Sequence, residues 1–433
     1  MKRILKYCVL LLLLCNMSAM AALKIEITQG ISSAQPIAIV PFATAPLAGA
    51  MAVDIAQIVS DDLTRSGRFK VLARTDLLSR PSTADQVNFR NWQVLGQDNL
   101  LIGRISPEIN GLLNVQFQLF DVYKGEQLTG FNIPARPSDL RGVAHRISDI
   151  IYEKLTGQKG AFSTRIAYIT SQANASGKIQ YQIQVADADG YAPKTIVTST
   201  EPLMSPAWSP RGDKLSYVSF EGTRSAIYSQ TLTTGAREKL RSFRGINGAP
   251  SWSPDGTQLA LTLSKDGSAD IYIYNTITRS FRRLTKSYAI DTEPDWSPDG
   301  RQLIFTSDRG GKPQLYRISV NGGRAARLTF EGSYNARGRY APDGKSIAMV
   351  HRVKGQYRIA ILDLKNGFVR VLTKGKLDES PSFAPNGSMI LYSTKDGLNS
   401  ILAAVSFDGE VHQKFRLQGG EVREPAWSPF KAQ

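Results

Sequence analysis

The chain has 433 residues, a net charge of +16 and two cysteines, Cys8 and Cys15. That length suffices for two domains that rely on apolar cores rather than disulfides. No cysteine follows residue 15 and the three histidines are scattered, which argues against a zinc site.

The opening "MKRILKYCVLLLLLCNMSAMAALK" reads as a secretory signal. Lys2, Arg3 and Lys6 precede an apolar core, Tyr7 to Leu14, that is too short to span a bilayer, and Ala19 to Ala21 form a small-x-small cleavage site. Residues 1–21 are therefore assigned to a signal peptide and the mature chain to an exported compartment. A lipidated Cys15 is disfavoured, because Leu14 stands where a small residue is wanted. No later segment is apolar enough to cross a membrane.

Residues 22–160 read as a small α/β domain. "LKIEITQ" and "PIAIVPF" have strand character. A helix follows, with Ile55, Ile58, Val59 and Leu63 at helical spacing and Gly67 as its stop. "RFKVLA", "NLLIGRIS" and "LLNVQFQLFDVYK" are further strands. The closing helix carries Leu140, Val143, Ile147, Ile150 and Ile151 on one face and ends at Gly157. "GQKGAF" joins this unit to the remainder.

Residues 161–433 repeat. Trp208, Trp252, Trp296, Tyr340, Phe383 and Trp427 each precede a Ser-Pro or Ala-Pro turn, at intervals of 44, 44, 44, 43 and 44 residues. Such a period is one four-stranded propeller blade. In each copy an aromatic strand enters a Pro-Asp-Gly type turn, where proline presets φ and glycine accepts φ > 0. Three alternating strands follow. The last copy, "EPAWSPF", has almost no chain after it. Its missing strands are available upstream as "TRIAYITS", "IQYQIQVAD" and "KTIVTST". The expectation is a mainly β protein: a six-bladed β-propeller whose last blade is closed by the C-terminal strand, preceded by the small α/β domain. Closure of this kind removes an open sheet edge.

The charge is uneven. Residues 161–433 hold 36 basic and 24 acidic side chains, against 14 and 13 in residues 22–160. The basic residues are spread over the blades without a long run, as on a solvated outer face. Export further disfavours nucleic acid, and polyanionic envelope polymers are the weaker alternative partner.

Catalytic motifs are missing. There is no G-x-S-x-G, and the histidines offer no base beside a nucleophile. "GRYAPDGKS" has one residue too many for a phosphate loop. "DADG" lacks most ligands of a calcium loop. The pattern favours a binding module over an enzyme, with no small-molecule substrate and no cofactor. Whether a cation sits in the propeller channel is left open.

In a closed propeller the residues leading into the aromatic strands converge on one rim of the channel. Asp291, Glu293, Asp378, Glu379, Glu421 and Glu424 are acidic there, with Arg337, Arg339 and Arg423 opposing them. Small residues, carboxylates and Met204 suit a loop or peptide from another protein.

Together, "IEITQGISSAQPIAIVPF", "EKLTGQKGAFSTRIAYIT", "PLMSPAWSP", "INGAPSWSPDG", "LDESPSFAPNG" and "PAWSPF" resemble the TolB family of the Tol–Pal system. The resemblance spans the mature chain. It implies a periplasmic, non-catalytic protein of a Gram-negative cell that supports outer-membrane integrity and invagination during cell division. The implied partners are the outer-membrane lipoprotein Pal, the inner-membrane protein TolA, other envelope proteins and imported bacteriocins. By the same resemblance, Pal would contact Met204, Ser205, Asn247, Gly248, Ala249, Thr292, Glu293, Asp378, Glu379 and Ser380. TolA would contact the segment Leu23, Lys24, Ile25, Glu26, Ile27, Thr28, Gln29, Gly30, Ile31, Ser32 and Ser33. Two departures stand out: Ile246 where a polar residue is expected, and the basic pair Arg337 and Arg339.

Overall fold

The computed structural model describes residues 23–29, 33–44, 53–108, 111–174, 176–222, 224–417 and 420–431. The signal assigned to residues 1–21, and Gly30, Ile31 and Ser32 of the proposed TolA segment, lie outside the described residues.

The first elements are β1 (Lys24–Gln29), β2 (Gln35–Ile39), β3 (Ala43–Thr44), α1 (Ile55–Arg65), β4 (Phe69–Val71), α2 (Phe89–Val94), β5 (Asn99–Pro107), β6 (Leu113–Asp121), β7 (Glu126–Ala135) and α3 (Leu140–Thr156). The α/β sheet has the order β4-β2-β5-β6-β7, with β3 beside β5. Its β2–β4 and β2–β5 pairs are parallel, and β5–β6 and β6–β7 antiparallel. One sheet face packs Ile37, Leu101 and Phe117 against Ile55, Val59 and Leu63 of α1 and Ile147 and Ile151 of α3. Burying these apolar stripes is what holds both amphipathic helices to the sheet. The other face packs Val40, Leu100 and Phe120 against Trp92 of α2.

The helix limits follow local chemistry. Asp54 caps α1 by accepting from the Gln57 amide at 3.0 Å. Gly157 ends α3 with φ +72°, a left-handed turn that glycine adopts without a Cβ clash. The sequence reading did not identify β7. Gly130 and Pro134 interrupt it and much of it is exposed, as suits an edge strand.

One element departs from the expected boundary. β1 does not join the α/β sheet. It pairs antiparallel with His412–Arg416 and becomes a fifth, outermost strand of a propeller blade. Alternation of apolar and polar residues marks a strand but carries no information about which edge it will find.

The propeller is a ring of six antiparallel sheets. Within a blade the strands are a to d from the channel outward. Blade one holds Leu203–Trp208, Lys214–Ser219, Ala226–Thr231 and Arg237–Lys239. The inner strands of blades two to five are Asn247–Trp252, Asp291–Trp296, Asn335–Tyr340 and Glu379–Phe383. In blade six, inner strand Glu421–Trp427 pairs with Arg165–Ala173, followed by Ile179–Asp187 and Lys194–Ser199. The C-terminal strand thus completes the sheet begun about 250 residues earlier, as the repeat arithmetic required.

The repeated aromatics tie neighbouring blades. Trp296 of blade three packs with Ile271 and Ile273 of blade two. Its indole N–H donates to the Ser251 carbonyl at 3.0 Å. The Trp208 indole of blade one donates to Ala426 of blade six at 2.9 Å. A tryptophan here contributes apolar area and a satisfied polar tip together.

The α/β unit sits on the a–b and c–d turns of blade five and the c–d turn of blade six. Gln158 donates to the Asn386 carbonyl at 2.7 Å, and Arg68 pairs with Asp408 at 2.9 Å. The d–a loops and b–c turns project from the opposite face.

Candidate binding site: the propeller channel and its rim

Each inner strand contributes the same layers, counted back from its aromatic residue. Five residues back stand Leu203, Asn247, Asp291, Asn335, Asp378 and Val422, all buried. Four back stand Met204, Gly248, Thr292, Ala336, Glu379 and Arg423. Three back stand Ser205, Ala249, Glu293, Arg337, Ser380 and Glu424.

This last layer is unusual in its backbone. Its six residues have φ of +52°, +47°, +56°, +54°, +55° and +49°. None is glycine. A register shift beside each marks a bulge against strand b. A bulge re-aims a side chain, and here six bulges line a channel cavity of about 280 Å³ with these six residues.

The charges in the channel are paired across blades. Arg337 Nε lies 2.8 Å from Glu293 Oε1, and its guanidinium also reaches the Ser380 hydroxyl. Burial opposes the charge on Arg337, but Glu293, Glu424 and Glu379 hold its pKa above the ordinary arginine value. Glu424 accepts from the Ser205 amide, closing the ring between blades six and one. Two positions further in, Asp295 accepts from the Tyr340 amide at 2.9 Å. Burial raises the Asp295 pKa, with Arg339 pulling the other way. A guanidinium therefore already supplies the positive charge that a channel cation would bring to Glu293 and Glu424.

The residues assigned to Pal separate into three groups. Ser205, Ala249, Glu293 and Ser380 line the channel together. Met204, Gly248, Thr292 and Glu379 follow one position nearer the rim, each half-buried. Asn247 and Asp378 are only 2% and 1% exposed. Asn247 accepts from the Phe243 amide at 2.9 Å and donates to the Phe243 carbonyl at 2.8 Å, fixing its own rim loop. Asp378 accepts from the hydroxyls of Thr373 and Thr394, and burial raises its pKa. These two side chains present little surface to a partner; they hold the loops that do.

The sequence reading singled out Ile246 but missed the apolar rim to which it belongs. Ile246, Tyr288, Ile290 and Phe330 lie exposed on three successive d–a loops, and Leu398 is exposed on the b–c turn of blade five. An exposed aromatic in a loop that also holds polar residues gives no periodic signal. Only the ring brings the loops side by side.

In the segment assigned to TolA, Leu23 is buried, with its amide 3.3 Å from the Gly190 carbonyl of blade six. Ile25 packs against the core between blades five and six. Glu26 and Thr28 face outward; Glu26 pairs with Arg416 at 3.5 Å, and Thr28 donates to the His412 carbonyl at 3.3 Å. Lys24 and Gln29 pair through the backbone with Arg416 and His412. Ile27 is partly exposed and Ser33 is exposed.

Among the described residues no helix is long and apolar enough to cross a membrane. Comparison with known proteins bears on the whole chain. Residues 23–128 match the family described as the TolB amino-terminal domain, and residues 152–431 match the TolB beta propeller domain. The Tol-Pal system protein TolB of Nitrosococcus oceani is 61% identical over 416 residues, covering 95% of this chain and 94% of that protein. Its counterpart in Methylococcus capsulatus is 61% identical over 419 residues, covering 97% of each. The crystal structure of TolB from Acinetobacter baumannii aligns with a TM-score of 0.87 at 44% identity, covering 94% of this chain and 100% of that one. With both domains matched and a shared six-bladed architecture, the chain belongs to the TolB family and is a component of the Tol–Pal system of the Gram-negative envelope.

Proposed function

We propose that this protein is a non-catalytic periplasmic adaptor with two docking sites. Pal docks on the propeller face that carries the d–a loops, and TolA takes up the N-terminal segment from Leu23 to Ser33. The observation that carries the first site is the apolar rim around a charged channel. Ile246, Tyr288, Ile290, Phe330 and Leu398 are exposed on the face opposite the α/β unit. Large apolar side chains exposed together on one face mark a protein interaction site. Glu293, Arg337 and Ser380 below them would fix the orientation of an inserted loop, and an imported bacteriocin peptide would use the same mouth.

The second site is supported by the placement of β1. It is a short added strand at a blade edge, held by one ladder and one buried anchor, Leu23. Such a strand can leave one edge for another at small cost. A partner on the rim shifts that equilibrium only by its differential affinity for the docked and released states. Linking an outer-membrane to an inner-membrane protein in this way serves envelope integrity and constriction at division.

The test is calorimetric titration of the chain from residue 22 with the soluble domain of Pal from the same organism. Tyr288 is fully exposed, so Tyr288→Ala leaves the fold intact. It is expected to weaken binding by about 2 kcal/mol, as an aromatic interface anchor does. Deleting residues 23–33 is expected to leave the rim site in place. Absence of binding by the unmodified chain, or binding untouched by Tyr288→Ala and Glu293→Ala alike, would overturn this reading.

A further inference from the structure

Where the α/β unit meets blade six, one buried histidine faces carboxylates from both domains. His145 of α3 is 2% exposed. Its Nδ1 lies 2.7 Å from Asp62 Oδ2 of α1, and its Nε2 lies 3.8 Å from Asp189 Oδ2 in the c–d turn of blade six. Nε2 is buried and has no hydrogen-bond partner among the described residues. Arg65 of α1 donates to Asp62 Oδ1 at 2.7 Å and to the Ala188 carbonyl at 2.9 Å. Arg141, one turn before His145, pairs with Asp189, reaches Asp187 at 3.4 Å and lies over the Tyr191 ring at 3.8 Å. Asp149, one turn after it, accepts from the Phe162 amide at 2.7 Å.

Asp62, His145 and Asp189 are close enough to suggest metal ligands. Arg65 and Arg141 already pair with the two carboxylates, so an added cation would face two guanidiniums. A proton is the better fit. A neutral imidazole carries one N–H. If Nδ1 donates to Asp62, the Nε2 lone pair points toward Asp189 and repels it. Only the imidazolium offers a donor to each side.

We propose that His145 is a protonation-dependent latch, whose imidazolium ties the α/β unit to the Asp187–Tyr191 turn of blade six and whose deprotonation loosens that seam. Burial by itself would depress the His145 pKa, but Asp62 and then Asp189 outweigh it and hold the value above the ordinary 6.5. A pKa raised by folding means the latch is fully engaged below 6.5 and is lost as pH rises through the higher folded value. The same turn carries Gly190, whose carbonyl holds the Leu23 amide. Loosening the turn therefore also loosens the start of β1.

The experiment uses the full mature chain. Imidazole titration by NMR resolves three histidines, and burial pushes His351 and His412 below 6.5. His145 is expected to titrate above them, a signal that His145→Gln removes. Hydrogen exchange of amides 187–191 and 23–29 is read in parallel as protection factors. In the native chain protection should fall by up to about tenfold per pH unit between 6.5 and the His145 midpoint, the limit for one linked proton, and level off above that midpoint. In His145→Gln it should not change with pH over that range. Asp189→Asn, which retains His145, should lower the midpoint. Titration of His145 at or below 6.5, equal pH dependence in the native chain and His145→Gln, or an unmoved midpoint in Asp189→Asn would each overturn the latch.

Discussion

Six residues in the channel wall share a backbone state that their side chains do not favour. Ser205, Ala249, Glu293, Arg337, Ser380 and Glu424 all sit near φ +50°. For a non-glycine residue the left-handed region costs about 1–2 kcal/mol. The surrounding ladders and inter-blade bonds enforce it. The Glu293 amide donates to the Thr262 hydroxyl of blade two at 3.2 Å, and the Arg337 amide to Thr306 of blade three at 3.1 Å. Ala249 isolates the backbone effect, since its side chain is a single methyl group. Ala249→Gly relieves the strain but adds unfolded-state entropy, and should change stability by less than about 1 kcal/mol. Ala249→Val puts a β-branched residue at positive φ and should cost at least about 1 kcal/mol. Chemical denaturation of both variants would check this, and equal stabilities would show that the backbone there relaxes. A proline follows five of the six residues, which ordinarily biases a position toward extended φ, so residue-level rules point away from what the structure has.

At the scale of elements, β1 is an outermost strand with a ladder on one side alone. Its docking depends on a close approach: a Cβ built on Gly190 would lie 2.5 Å from Leu23 Cβ. Gly190 also has φ +79°, so a side chain there is strained on two counts. Gly190→Ala is therefore expected to weaken β1 docking by about 1–2 kcal/mol while leaving the blades folded. Faster amide exchange and earlier proteolysis at residues 24–29, with the propeller's thermal transition nearly unchanged, would be the signature. Unchanged exchange there would mean that Leu23 is not the anchor. The docking also explains why β1 was legible as a strand but not as part of the propeller. Leu23 and Ile25 face a seam built by Ala186, Val411 and Phe415, which lie far along the chain.

For the whole molecule, closure is the decisive feature. Blade six is made of one strand from the chain's end and three that precede blade one. The register runs from Glu421 opposite Ser171 to Trp427 opposite Ile166, and the Trp427 indole donates to Thr164 at 2.8 Å. Open rings expose a sheet edge and lose neighbour packing on both sides. A chain ended at Gly420 should therefore lose the cooperative thermal transition of the propeller, rather than shed one strand with the rest unaffected. Calorimetry distinguishes the two outcomes; a single transition close to that of the intact chain would show that five blades suffice.

The sequence by itself determined the class of fold, the number of blades and the way the ring closes. These follow from a period of 43 or 44 residues and from a final copy with no room for its remaining strands. Local chemistry also marked α1 and α3, because each carries an apolar stripe and a glycine stop. It named channel residues such as Glu293 and Glu424, since position within the repeat converts directly into position around the channel. Tertiary structure alone decided which edge β1 joins, that Asn247 and Asp378 are buried loop supports, and that Arg337 bridges Glu293 and Ser380 across three blades. It also decided that His145 lies between Asp62 and Asp189. The reason is common to all of these. A repeat is a local pattern that copies itself, whereas pairing, burial and charge compensation depend on residues that become neighbours only when the ring closes and the α/β unit settles on it.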